Sequence, residues 1–200
     1  TVHVVYGNAG VTTSQENVGG TWGNGYEAVY HLGGTLSSES VGLGAPGTTI
    51  FADDSYIYAG TQTVGLRIYN RSDHSPWKTL APSGPTQEAV EHSSVYAKGD
   101  LVCFAQRDGE GYVYNVATEH YEDSLAVSHT QGELLRAGYI DDDYVYFGEQ
   151  YTGIIHRVRI SDGDTVTSTV AADDIRMIRG DGSRLIVASN DNNVYLLHRS

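Results

Sequence analysis

Five short apolar segments recur along the chain, and a recurrence of this kind must be read first because it dictates a repeat architecture. They are Val4-Val5-Tyr6-Gly7, Tyr56-Ile57-Tyr58-Ala59, Val102-Cys103-Phe104-Ala105, Val145-Tyr146-Phe147-Gly148 and Ile186-Val187-Ala188-Ser189. Aligned on positions 6, 58, 104, 147 and 188, they are spaced 52, 46, 43 and 41 residues apart. A second series follows in step: Ala28-Val29-Tyr30, Arg67-Ile68-Tyr69, Tyr112-Val113-Tyr114, Arg157-Val158-Arg159 and Asn193-Val194-Tyr195. Chance resemblance between short strands would not keep two series in register.

Each unit divides into strands punctuated by turn residues. In the second unit, 48–52, 56–60, 65–70 and 77–81 read as strands. The third reads as 93–97, 101–106, 111–116 and 123–127, and the fourth as 135–140, 144–149, 154–160 and 166–170. The fifth has 175–179, 184–189 and 193–198, without an outermost strand. The separators include Asp108-Gly109, Asp162-Gly163, Asp181-Gly182 and Asn190-Asp191-Asn192, the chemistry of tight hairpins. The strands are rich in Val, Ile, Tyr and Thr, which suit a pleated, half-buried surface. No stretch of helical length carries apolar residues at helical spacing, so almost no helix is expected.

Four strands in about forty residues is the blade of a β-propeller. The expectation is therefore an all-β, single-domain propeller of about five blades, at 1–47, 48–88, 89–132, 133–172 and 173–200, with incomplete end blades. A β-sandwich of similar strand number is the alternative architecture.

The units resemble the repeats of PQQ-like, quinoprotein-type propellers. Asp141-Asp142-Asp143-Tyr144-Val145-Tyr146-Phe147-Gly148 carries the Asp-rich turn and aromatic strand of that repeat, and Arg159-Ile160-Ser161-Asp162-Gly163-Asp164-Thr165 its polar turn. The likeness covers residues 48–198. The resemblance implies a scaffold or binding blade. Catalytic quinoproteins carry eight blades, a calcium site and paired cysteines, whereas this chain has one cysteine. The outer-strand Trp of such repeats appears once, as Trp77.

Charge narrows the function. There are 25 Asp and Glu against 12 Lys and Arg, for a net −13 at pH 7, and Lys78 and Lys98 are the only lysines. Such a surface excludes binding to nucleic-acid phosphates, which needs a basic patch. It matches the composition of halophilic proteins, in which molar salt screens self-repulsion. The apolar runs are too short to insert in a membrane. A removed leader, and hence export, stays open, because the chain begins at Thr1.

No catalytic constellation emerges. Cys103 lies between Val102 and Phe104 and reads as packing. His3, His31, His74, His92, His120, His129, His156 and His198 form no zinc motif. Asp53-Asp54, Asp141-Asp142-Asp143 and Asp173-Asp174 recur at related places, and oxygen-rich turns of this kind could hold structural Na⁺ or Ca²⁺. Hairpin chemistry and surface charge account for them without an ion. Arg179-Gly180-Asp181, an adhesion tripeptide, also falls at a tight turn. Trp22 and Tyr26, in and after a Gly-rich loop, and Trp77 are the candidate binding residues, through exposed aromatic rings.

The reading is a noncatalytic protein-interaction or structural module, with other proteins of an assembly as partners and no cofactor. Its setting would be extracellular, on a cell surface, appendage or virus particle. A glycan-binding propeller used in adhesion is the second reading, and a PQQ-like or hydrolytic enzyme the third.

Overall fold

A computed structural model of the chain describes residues 40–81, 90, 94–106, 109–128, 134–170 and 174–198. Most of the expected first unit lies outside these residues. The others appear as four antiparallel sheets in chain order. Unit two consists of β1 (Gly47–Ala52), β2 (Tyr56–Thr61), β3 (Leu66–Asn70) and β4 (Pro76–Leu80). Unit three consists of β5 (Tyr96–Lys98), β6 (Leu101–Ala105), β7 (Glu110–Asn115), β8 (His120–Tyr121) and β9 (Val127–Ser128). Unit four is β10 (Leu135–Ile140), β11 (Tyr144–Glu149), β12 (Ile154–Arg159) and β13 (Thr165–Thr169). Unit five is β14 (Ile175–Gly180), β15 (Arg184–Ser189) and β16 (Val194–His198), three strands as expected.

The boundaries follow the turn residues closely. One strand is different: residues 123–127 were expected as a single outer strand of unit three. Asp123–Leu125 instead form a 3-10 turn, with β8 and β9 pairing to β7 on either side of it. The turn carries Leu125 down into the core, where it is buried.

Three hydrophobic clusters lie between successive sheets, which rules out a two-layer sandwich with one core. Alternation along each strand decides which cluster a residue joins. On β6, Val102 and Phe104 pack toward unit two, while Cys103 and Ala105 pack toward unit four. On β11, Val145 and Phe147 pack toward unit three and Tyr146 toward unit five. Burial on both faces explains why these second strands read as continuous apolar runs rather than alternating ones.

Counting from the start of the second strand, Tyr58, Cys103, Tyr146 and Ile186 are equivalent, and the first three point toward the following unit. The sequence alignment of 58 with 104, 147 and 188 is therefore shifted by one residue in units three and four and by two in unit five. A one-residue slip exchanges faces, so Phe104 and Phe147 belong to the opposite side from Tyr58. The aromatic rings that guided the alignment are not structurally equivalent.

The first and second strands of units two, four and five share a register shift, at Gly47/Thr49, Leu135/Ala137 and Ile175/Met177. Such bulges bend the strand and increase its twist. Close approach between units is set by small residues on the face toward the next unit, at the equivalent positions Gly60, Ala105 and Gly148. A Cβ on Gly148 would lie 2.5 Å from Cγ2 of Ile175 in unit five, and one on Gly60 would lie 2.8 Å from Cγ1 of Val90.

Gly148→Val is accordingly expected to destabilise the fold by about 1–3 kcal/mol through overpacking, read as a lowered midpoint in thermal unfolding. Gly42→Ala, where an added Cβ meets nothing within 4 Å, should leave the midpoint nearly unchanged.

Candidate functional site: an acidic turn face

The turn between the first and second strands is built around one aspartate. Asp53 Oδ1 accepts the backbone N–H groups of Ser55 and Tyr56, each at 2.7 Å. Asp141 Oδ1 accepts those of Asp143 and Tyr144 at 2.8 and 2.7 Å, and Asp181 Oδ1 those of Ser183 and Arg184 at 3.2 and 2.8 Å. This local side-chain bonding is why Asp is placed at the corner.

The second carboxylate oxygen reaches the sheet. The Tyr58 hydroxyl donates to Asp53 Oδ2 at 2.7 Å, and the Tyr146 hydroxyl to Asp141 Oδ2 at 2.8 Å. Burial, reinforced by the Asp53 carboxylate, raises the pKa of Tyr58 well above the usual phenol range. In unit five the partner changes: Arg184 donates through Nε and Nη2 to Asp181 Oδ2 at 3.0 and 2.7 Å. These bonds hold Asp181 below the usual carboxylate range, Arg184 contributing most. In unit three the Asp and Tyr positions are Lys98 and Cys103. Cys103 is buried in the core between units three and four, and burial pushes its thiol up to about 12.

Lys98 points out of its turn to the next unit, with Nζ 2.6 Å from Asp142 Oδ1. Lys78 does the same one unit earlier, 2.7 Å from Glu119 Oε2 and over the rings of Trp77 and Tyr114. Both lysines of the sequence thus join neighbouring units. Arg179 makes a third link, its guanidinium lying over the Tyr96 ring and donating to the Gly138 carbonyl at 3.5 Å. The Arg179-Gly180-Asp181 tripeptide is engaged within the fold at both ends.

The turns of units three and four enclose a groove of about 520 Å³. Asp100, Glu122, Asp141 and Asp142 line it beside Lys98, with Leu125, Ile140 and Ile160 as its apolar floor. A smaller groove of about 220 Å³, between Asp53, Asp54, Tyr56 and Asp100, joins units two and three at the same end. The larger groove is therefore acidic, with Lys98 as the cation among its lining residues.

Of the aromatic candidates, Trp22 and Tyr26 lie outside the described residues. Trp77 sits on β4 with its ring 4.9 Å from that of Tyr56, a half-buried packing position against the core of units two and three. Among the described histidines, His156 is buried with Nε2 2.8 Å from Glu149 Oε1, and the Thr152 hydroxyl donates to Glu149 Oε2 at 2.6 Å. His74 and His120 lie in turns or at an edge, and His198 ends β16. Among the described residues, no three His, Cys, Asp or Glu side chains converge as metal ligands. The groove residues Asp100 and Glu122 were not singled out by sequence, since their convergence comes from stacking rather than from a motif.

No family model matches the sequence, and no curated protein matches it. Solved structures do. The chain is similar to the computationally designed Ika4 protein, with a TM-score of 0.67 at 13% identity over 82% of this chain and 100% of that one. It is also similar to BamB from Moraxella catarrhalis, with a TM-score of 0.57 at 14% identity over 75% of this chain and 42% of that one. The chain thus spans less than half the length of BamB. These likenesses agree with the sheet topology: the fold is an all-β propeller of repeated blades.

The Asp–Tyr link predicts a measurable cost. Tyr146→Phe should lower stability by about 1 kcal/mol and Asp141→Ala by about 2–3 kcal/mol, since the latter strands two backbone donors and a buried hydroxyl. Chemical denaturation of both variants checks this. Equal, negligible losses would remove the link from the account.

Proposed function

We propose that this propeller is a noncatalytic protein-interaction module that receives a partner on its acidic turn face. The observation that carries this reading is the groove between units three and four. Four carboxylate residues, an apolar floor and a single lysine form a concave surface on rigid strand ends. Loops on a stiff scaffold are where binding residues concentrate. The groove suits a partner segment that brings guanidinium or ammonium groups to the carboxylates and an apolar side chain to Leu125 and Ile160. The PQQ-like repeat is treated as scaffold, with no quinone chemistry assigned to it.

The proposed setting is a surface assembly, on a cell, an appendage or a virus particle, of a halophilic source. The net −13 and the two-lysine composition support it. In molar salt the Debye length falls to about 3 Å, so recognition there rests on close contacts rather than on long-range attraction.

The test compares the chain with a variant carrying Asp100→Asn, Glu122→Gln and Asp142→Asn. Both are cross-linked in molar salt in an extract of the native source, and captured proteins are quantified by mass spectrometry. The variant should lose a defined partner by about tenfold or more, the scale expected when close charge pairs are removed. Equal recovery with both chains would contradict a role for the groove. Dialysis to low salt should abolish the folded circular dichroism signal, and an unchanged spectrum would contradict the halophilic setting.

A further inference from the structure

Trp77 stands out in the sequence, and in the structure it is the outer end of a chain of aromatic contacts that runs into the core of unit two. The Trp77 ring lies 4.9 Å, centroid to centroid, from that of Tyr56, and the Tyr56 ring 6.1 Å from that of Tyr58. The chain ends on the hydrogen bond from the Tyr58 hydroxyl to Asp53 Oδ2, at 2.7 Å. Trp77 and Tyr56 are half-buried and reach solvent, whereas Tyr58 is fully buried.

Indole and phenol are side chains that give up a single electron. A buried phenol does so only if its proton leaves as well, because an unpaired cation in the core is costly. Asp53 is a proton acceptor within hydrogen-bond reach. Loss of an electron and transfer of the proton turn a phenol and a carboxylate into a neutral phenoxyl radical and a neutral carboxylic acid. The couple thereby loses a charge rather than gaining one. Charges at the two ends favour the same direction. Lys78 Nζ, 5.6 Å from the centroid of the Trp77 ring, disfavours positive charge remaining on the indole. Asp53 and Asp100 both act on the Tyr58 hydroxyl, and with burial they keep it protonated until an electron leaves.

The other units vary these parts. Lys98 and Cys103 hold the two positions in unit three, and Ile186 replaces the tyrosine in unit five, so neither has the couple. Unit four keeps it as Tyr146 with Asp141, in contact with Tyr144 at 6.0 Å between centroids. Among the described residues, Trp77 is the one indole, so only the couple of unit two connects to one.

We propose that Trp77, Tyr56, Tyr58 and Asp53 form a relay that carries an oxidising equivalent from the surface to Tyr58 and holds it there as a buried phenoxyl radical. The substrate class is a diffusible one-electron oxidant, which is reduced by taking one electron from the indole. An electron then passes from Tyr58 through Tyr56 and restores the indole, while the Tyr58 O–H bond breaks and its proton joins Asp53 Oδ2. One electron leaves the protein and one proton moves within it. A one-electron reductant, with return of the proton, restores the starting state. This activity does not rest on the acidic groove.

The test is flash photolysis of the full chain with a ruthenium(II) polypyridyl sensitiser and a cobalt(III) ammine as electron acceptor, which together generate a one-electron oxidant. Tyr146→Phe is carried in every sample, because its couple with Asp141 would also hold a radical. Transient absorption should show an indolyl radical converting to a phenoxyl radical, and electron paramagnetic resonance of frozen samples should show the phenoxyl persisting. Tyr58→Phe and Asp53→Asn should each lose the persistent signal. Trp77→Phe should lose the conversion, and Tyr56→Phe should leave the indolyl radical unconverted. Tyr151→Phe removes a phenol that is 65% exposed and outside the chain of contacts, and should change neither signal. Circular dichroism checks folding, and Asp53→Asn, which keeps the Oδ1 that the turn uses, decides the matter if Tyr58→Phe does not fold. A persistent phenoxyl of undiminished size in Tyr58→Phe or Asp53→Asn overturns the proposal. So does an equal loss in Tyr151→Phe, or an indolyl radical that decays in the parent chain without a phenoxyl appearing.

Discussion

Everything in this molecule depends on one sheet covering the next. A four-stranded antiparallel sheet has two faces, and a chain of this composition makes both of them apolar in its middle units. The second strand of each middle unit is where the demand is strongest: β6 and β11 are buried on both sides. A fully buried Phe, Val or Leu contributes about 1.5–3 kcal/mol, and each interface collects around ten buried apolar side chains. The two lysine ion pairs between units, by contrast, are solvent-accessible. The Lys78–Glu119 and Lys98–Asp142 pairs lie at the surface, where an ion pair contributes little. They orient neighbouring blades, while hydrophobic stacking holds them.

Much of this was legible before any coordinates. The repeat interval, the turn residues and the strand boundaries follow from local chemistry, and local chemistry is what a sequence displays. Asp53 and Asp141 mark their corners because the carboxylate bonds its own backbone. What the sequence hid was register. In a strand buried on both faces, hydrophobicity no longer distinguishes odd from even positions, so Tyr-x-Tyr and Val-Cys-Phe look alignable in the wrong phase. Only cross-strand pairing shows that Cys103, not Phe104, replaces Tyr58. The 3-10 turn at Asp123–Leu125 was hidden for a related reason: burial of Leu125 overrides the extended preference of its neighbours.

The candidate site was partly visible in the same sense. The Asp-rich turns stand out as composition, but a groove is a relation between two units. Asp100 and Glu122 carry no motif and meet Asp141 and Asp142 only because units three and four stack with their turns at one end. The acidic composition concentrates carboxylates where the stack leaves a concave surface. The missing Asp of unit three is part of this arrangement, since Lys98 stands in its place and crosses to Asp142.

If stacking between sheets carries the stability, protection should follow coverage rather than hydrogen-bonding pattern alone. Amide hydrogen exchange read strand by strand tests this most directly. The account predicts slowest exchange in β6 and β11, covered on both faces, and much faster exchange in β13, whose side chains are all exposed, although both its neighbour's and its own backbone groups pair in the sheet. Uniform protection across the four strands of unit four would contradict it, because it would place the stability within each sheet rather than between them.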